Sequence, residues 1–162
     1  MLAISPANQS DTATIAKLME ELDRFYGATE IDPASERLAQ IEAALFASPP
    51  AAYVLLARDH DRVVGLASYS FLWPAEGLTR SLYLKELYVR QLERRHGVGA
   101  ALMRAICATA KETHCSRVEW TTENTNTTAM QFYATLKAPI NLAKVTYRFH
   151  AQDIDRVLGD DA

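Results

Sequence analysis

A mixed β-sheet with helices packed on it, an α/β (α+β) arrangement, is the fold class the sequence predicts. Three patterns carry that expectation. Residues 52–73 read as a β-hairpin, residues 82–136 alternate strand, helix, strand and helix, and two amphipathic helical stretches precede both. A strand-helix-strand unit of this kind should cross over right-handedly, which puts a parallel pair beside the antiparallel hairpin.

The elements follow in order. Residues 2–5 are a short strand. A helix should begin near Ser10 or Asp11, because Ile15, Leu18, Met19, Leu22, Phe25 and Tyr26 recur on one helical face, and Gly27 stops it. Asp32 as N-cap with Pro33 in the first turn introduces a second helix, with Leu38, Ile41 and Leu45 inward and Pro49-Pro50 closing it. Strands over 52–58 and 63–73 flank a polar turn at 59–62, and residues 74–77 turn the chain again. Residues 82–89 form a strand that runs into a charged loop, 90–96, and then a helix over 97–111 whose inward face carries Val98, Ala101, Leu102, Ala105 and Ile106. A strand over 117–122 and a helix over 126–136 complete the alternation. Val145, Tyr147 and Phe149 alternate as in a half-buried strand over 144–149, and residues 153–158 close with a helical turn or two.

At 162 residues, 49% hydrophobic and 23% charged, the chain fits one globular domain over 1–162 that needs no disulfide or metal to build a core. A net charge of -3 argues against a nucleic-acid surface, which needs a basic excess. No apolar run approaches the roughly 18 residues of a membrane span and no signal peptide opens the chain, so a cytoplasmic protein is expected. Cys107 lies on the apolar helical face and is expected in the core, while Cys115 follows His114 in a turn. The two do not make a metal-ligand spacing, and no metal is expected.

The most informative stretch is Leu87-Tyr88-Val89 followed by Arg94-Arg95-His96-Gly97-Val98-Gly99-Ala100. A strand delivers the chain into a loop whose glycines fall at a helix start, where several backbone N–H groups lack acceptors and point one way. The helix dipole and three basic side chains add positive potential, and glycine lets an anion approach the backbone. The alternative is a helix that begins with permissive residues after a solvated basic loop, although each glycine there costs up to about 1 kcal/mol relative to alanine. A P-loop is set aside, since no Lys-Ser/Thr pair follows, and so is the three-glycine dinucleotide fingerprint.

These residues resemble the GCN5-related N-acetyltransferases (GNAT). Arg94-Arg95-His96-Gly97-Val98-Gly99 satisfies the family's Gln/Arg-x-x-Gly-x-Gly/Ala signature, with residues 84–89 upstream where the family's fourth strand ends. Asn126-Thr127-Thr128-Ala129-Met130-Gln131-Phe132-Tyr133 looks like its Asn-x-x-Ala-x-x-Phe-Tyr motif. The resemblance covers essentially the whole chain and is closest in flavour to the diamine-acetyltransferase-like branch.

It implies the GNAT acyl-CoA N-acyltransferase fold, with helices on both faces of a mostly antiparallel sheet, and acetyl-CoA as co-substrate with its pantetheine arm between splayed fourth and fifth strands. By that analogy the backbones of Leu87 and Val89, flanking Tyr88, pair with the arm, the N–H groups from Arg95 to Ala100 hold the diphosphate, and Asn126, with Ala129, meets the arm from the other side. Tyr133 matches the tyrosine that protonates the departing thiolate, although Phe132 and Tyr133 also read as core aromatics. The amine must lose a proton, and Glu86 and Glu123 are the carboxylates closest in sequence to the acetyl position; each also reads as a surface or ion-paired carboxylate. Polyamine-acetylating relatives carry an acid where Lys85 stands, which weighs against a polyamine substrate. The family's glycine after the tyrosine helix is also missing at Leu136-Lys137-Ala138-Pro139.

The expected activity is direct transfer of acetyl from acetyl-CoA to the primary amine of a small molecule, with strand N–H groups meeting the oxyanion of a tetrahedral intermediate. Two alternatives stand beside it: a non-catalytic acyl-CoA sensor, and an acetyltransferase acting on a protein N-terminus or lysine. The helix pair over 15–46 is expected to wall the acceptor site, with Glu20, Glu21, Asp23, Tyr26 and Glu30 as candidate contacts. Neither nucleic acid nor membrane is an expected partner. A homodimer is, with weak hints in the aromatic hairpin at Tyr69 to Trp73.

Overall fold

The computed structural model describes residues 1–159; residues 160–162, the end of the expected domain, lie outside the described residues. By its internal packing the chain divides into two compact units, Met1–Thr121 and a second beginning at Thr122.

The first unit holds a five-stranded sheet in sequence order: β1 (Leu2–Pro6), β2 (Tyr53–Asp59), β3 (Arg62–Leu72), β4 (Arg80–Val89) and β5 (Cys115–Glu119). All neighbours are antiparallel except β4 and β5, which are parallel. The expected mixed sheet is what forms. Three helices accompany it: α1 (Thr12–Phe25), α2 (Ala34–Leu45) and α3 (Val98–Glu112).

On one face, Ile15, Leu18 and Leu22 of α1 pack on Val54, Leu56, Leu66 and Tyr88. Side chains alternate along a strand, so Leu55, Ala57, Gly65 and Ala67 turn to the opposite face. There α3 comes so close that a Cβ on Gly65 would stand 3.4 Å from Leu102 Cδ1 and 2.6 Å from the Tyr88 carbonyl oxygen. Only glycine fits at that point. A short 3-10 turn, Gln9–Asp11, leads into α1, with Asn8 and Asp11 capping each other. Arg58 on β2 donates to both Asp11 carboxylate oxygens at 2.8 and 2.9 Å and so ties this helix entry to the sheet.

Several boundaries differ from expectation. The second helix begins at Ala34 with Pro33, not Asp32, at its N-cap. The fifth strand starts at Cys115 rather than residue 117, because parallel pairing with β4 begins at Arg80 opposite Cys115. Cys107 is exposed rather than buried. The buried face of α3 runs through Val98, Leu102, Met103, Ile106 and Ala110, and one residue past Ile106 is a turn of about 100° away from it.

The second unit contains α4 (Thr127–Thr135) and α5 (Ala151–Leu158). The expected strand over 144–149 is not a strand: its backbone joins no ladder among the described residues. A strand is defined by its partner, and alternation in sequence cannot supply one.

Candidate cofactor and acceptor site

The site grows out of the far end of β4. Pairing with β5 ends at Tyr83 opposite Glu119, and beyond it Leu84 to Val89 have no strand partner on that side among the described residues. On the other side β4 stays paired with β3 as far as Val89 opposite Gly65. Arg90 donates its N–H to the Val64 carbonyl at 2.9 Å. By strand alternation this turns the N–H and C=O groups of Leu87 and Val89 away from β3, toward the open edge. The Val89 carbonyl already accepts from Arg94 Nε at 3.1 Å, which leaves its N–H and both groups of Leu87 on that edge.

After a 3-10 turn at Gln91–Glu93 the chain takes two left-handed steps, at Arg95 (φ 69°) and Gly97 (φ 81°), before α3 starts at Val98. The first helical bond is Ala101 N–H to the Gly97 carbonyl at 3.0 Å. None of the backbone N–H groups of Arg95, His96, Gly97, Val98, Gly99 and Ala100 donates to a protein acceptor among the described residues. Such a row at a helix N-terminus, where the dipole leaves partial positive charge, is a cradle for an oxyanion. The space over Gly97 is open, with no protein atom within 4 Å of where a Cβ would stand.

The basic side chains of the loop divide. Arg95 and His96 are exposed, whereas Arg94 is half-buried, its guanidinium 4.7 Å from the Phe25 ring and 6.0 Å from the Tyr88 ring. Arg94 thus braces the loop against α1. Arg90 does the same through Glu21, at 3.0 Å, and Glu21 also accepts from the Tyr88 hydroxyl at 3.3 Å. Phe25, Tyr88, Arg90, Leu92 and Arg94 line an open concavity of about 510 Å³ beside this brace. Sequence reading placed Glu21 in an acceptor wall and left Phe25 as a core residue. The signal available was their spacing of four on α1, which puts both on the helix stripe that meets the loop.

Glu86 is half-buried and shares the α1 face of β4 with Tyr88, two residues further on; it does not line the concavity. Burial pushes its carboxyl up, Asp23 adds to that, and Lys85 opposes it, with the carboxyl ending above the usual glutamate range. Asp23 is itself held by Arg37 at 3.5 Å. Of the expected acceptor-side acids, Glu20 pairs with Arg24 at 3.0 Å on the exposed side of α1. Lys85 is exposed and is the extra residue of β4 at the bulge opposite Ser68 and Tyr69.

In the second unit Asn126 is the N-cap of α4, and its Oδ1 accepts from Ala129 N–H at 3.1 Å. That gives the Asn-x-x-Ala spacing a helix-capping function. Tyr133 lies on α4, half-buried, its ring 5.2 Å from that of Phe132. Neither aromatic is fully buried.

The model of the acetyltransferase (GNAT) family matches residues 15–137, from the first helix through the whole of β4, the loop and α4. The chain belongs to this family. Its members use acetyl-CoA as co-substrate. Among solved structures, an integron cassette protein from the mobile metagenome of V. cholerae is 27% identical, over 97% of each chain, with a TM-score of 0.88. An aminoglycoside acetyltransferase from an uncultured soil metagenomic sample is 20% identical, over 92% of this chain and 97% of its own, with a TM-score of 0.75. A ribosomal-protein-alanine N-acetyltransferase from Brucella melitensis biovar Abortus 2308 is 19% identical, over 92% of this chain and all of its own, with a TM-score of 0.73. No curated protein matches the chain. The residues suit the family's co-substrate, because a row of unsatisfied amides answers a diphosphate and an open strand edge answers an amide-bearing arm. No cluster of metal-ligating side chains occurs among the described residues, nor is any helix there long and apolar enough to cross a membrane.

Proposed function

We propose that this acetyltransferase moves the acetyl group of acetyl-CoA directly onto the primary amine of a small molecule. The observation that carries the reading is the unsatisfied amide row from Arg95 to Ala100, continuous with the open edge of β4 and with a desolvated carboxylate, Glu86, on the same strand. Bound acetyl-CoA supplies an acyl group activated as a thioester. The amide row holds the diphosphate, and the backbone of Leu87 with the Val89 N–H pairs the pantetheine arm.

Glu86 takes the proton of the incoming ammonium. Its raised affinity for a proton suits that task, since a general base works best when its pKa lies near the working pH. Tyr133 gives a proton to the departing thiolate, a task that suits a phenol and that its position in the Asn126 motif supports. Asn126 and Ala129 serve this function through the start of α4, which they cap. A small acceptor is favoured because Glu86 stands half-buried beneath α1, near Asp23, where a compact cation meets carboxylates. Lys85 adds positive charge close by, which weighs against a polyamine as that acceptor. A protein N-terminus is the second reading, and amine panels separate the two.

The test is thiol release from acetyl-CoA with a panel of small amines and basic peptides. Wild type should release thiol only with small amines. Glu86→Gln should lower kcat/KM by about 10²–10⁴ while leaving coenzyme binding in place. Because burial raises the Glu86 carboxyl, wild-type activity should fall as pH drops through a value above the ordinary glutamate range, and the variant should lose that limb. Tyr133→Phe should slow release without weakening binding. Coenzyme binding with no amine-dependent release would refute the proposal in favour of a sensor.

A further inference from the structure

The concavity beside α1 holds a cation that the fold leaves unanswered. Arg24 pairs with Glu20 at 3.0 Å, Arg62 with Glu93 at 2.6 Å and Arg90 with Glu21 at 3.0 Å. Arg94, on the same wall, has no carboxylate partner among the described residues and uses only its Nε, on the Val89 carbonyl. The N–H groups of its two terminal nitrogens donate to no protein acceptor there, although the side chain is half-buried. A partly desolvated charge without a partner is costly, and a planar guanidinium fork matches a carboxylate through two parallel hydrogen bonds.

That fork is held in place before any ligand arrives. The Nε bond fixes one side of it, and the rings of Phe25 and Tyr88 lie 4.7 and 6.0 Å from its central carbon, within the range where a cation is drawn to a ring. The wall around it is apolar, with Phe25 53% and Leu92 87% exposed. A space of about 510 Å³ falls in the range of small-molecule sites. Neighbouring charges set the valence of what enters. Arg90 and Arg62 neutralise Glu21 and Glu93, so a single positive charge, that of Arg94, is left to be balanced, and a dianion would face both glutamates.

The diphosphate cradle lies elsewhere. The concavity is on the α1 face of the sheet and none of residues 95–100 lines it, whereas α3, whose first turn carries the amide row, packs on the opposite face. We propose that the concavity is a second ligand site, apart from that of the coenzyme, for a small monocarboxylate with a ring-bearing apolar body. The carboxylate sits in the fork of Arg94, and the body lies against Phe25 and Leu92.

The probe is 3-phenylpropionate and the control its neutral amide, in calorimetric and proton–nitrogen chemical-shift titrations of the full chain. The acid should bind with a Kd of about 1 mM or tighter, and the amide about tenfold or more weakly. Shifts should concentrate at Phe25, Tyr88, Leu92 and Arg94 rather than at Gly97 to Ala100, and saturating coenzyme A should not displace the probe. Leu92→Glu puts a negative charge on the exposed rim, and Arg94→Lys keeps the charge but loses the fork. Each should weaken the acid about tenfold with far-UV circular dichroism preserved. No binding at about 10 mM, equal binding of acid and amide, displacement by coenzyme A, or wild-type affinity in both variants would overturn the proposal.

Discussion

Replacing Gly97 by alanine separates the fold from the coenzyme site. Gly97 is the N-cap of α3 at φ 81° and ψ 0°, a left-handed conformation. A residue with a Cβ pays roughly 1–2 kcal/mol to hold it. No protein atom lies within 4 Å of the new methyl, so backbone strain is the whole structural cost. In a chain of this size 1 kcal/mol shifts Tm by about 2–4 °C, so the variant should melt about 2–8 °C lower and still fold. Binding should suffer differently. If the row from Arg95 to Ala100 holds a diphosphate, the methyl stands beside the anion, and losing one charge-assisted hydrogen bond costs about 1.5–3 kcal/mol, or about 10- to 150-fold in Kd.

Calorimetric titration of coenzyme A, with a thermal melt of the same sample, reads both quantities. Arg95→Gly is the control. Arg95 also holds a positive φ, of 69°, with its side chain exposed, so glycine relieves strain of about 1 kcal/mol while adding a similar entropic cost. Its Tm should stay within about 2 °C of wild type. A Gly97→Ala protein that melts a few degrees lower yet binds coenzyme A within about twofold of wild type would refute the assignment of the amide row.

Two further outcomes test the packing that positions the site. Gly65→Ala puts a Cβ 2.6 Å from the Tyr88 carbonyl oxygen and has to push β3 from β4 where β4 enters the loop, so chemical denaturation should show a loss of about 1–3 kcal/mol, with coenzyme binding weakened too. Arg58→Ala removes the Nη2 bonds to both Asp11 carboxylate oxygens and should cost about 1–3 kcal/mol at neutral pH. Burial alone would raise the Asp11 carboxyl, but the Arg58 and Asn8 bonds outweigh it and hold the carboxyl below its usual value. The contribution is therefore present above the unfolded aspartate pKa and lost as pH falls through the lower folded value, so the gap between wild type and variant in urea melts at stepped pH should close in acid.

The sequence by itself determined what depends on local spacing. The apolar stripe of α1 from Ile15 to Leu22, the hairpin of β2 and β3, and a glycine-bearing helix start at Gly97 are all short-range consequences of side-chain period and backbone freedom, and each stands where the pattern puts it. Tertiary structure decided everything set by distant partners. It placed the end of β5 at Glu119, which opens the edge of β4, and set Arg94 against Phe25 and Arg90 against Glu21. It also left Cys107 in solvent and Val145, Tyr147 and Phe149 without a ladder. The physical reason is common to all of these. A period says which face of an element is apolar, while burial, pairing and desolvation belong to whatever lies against that face.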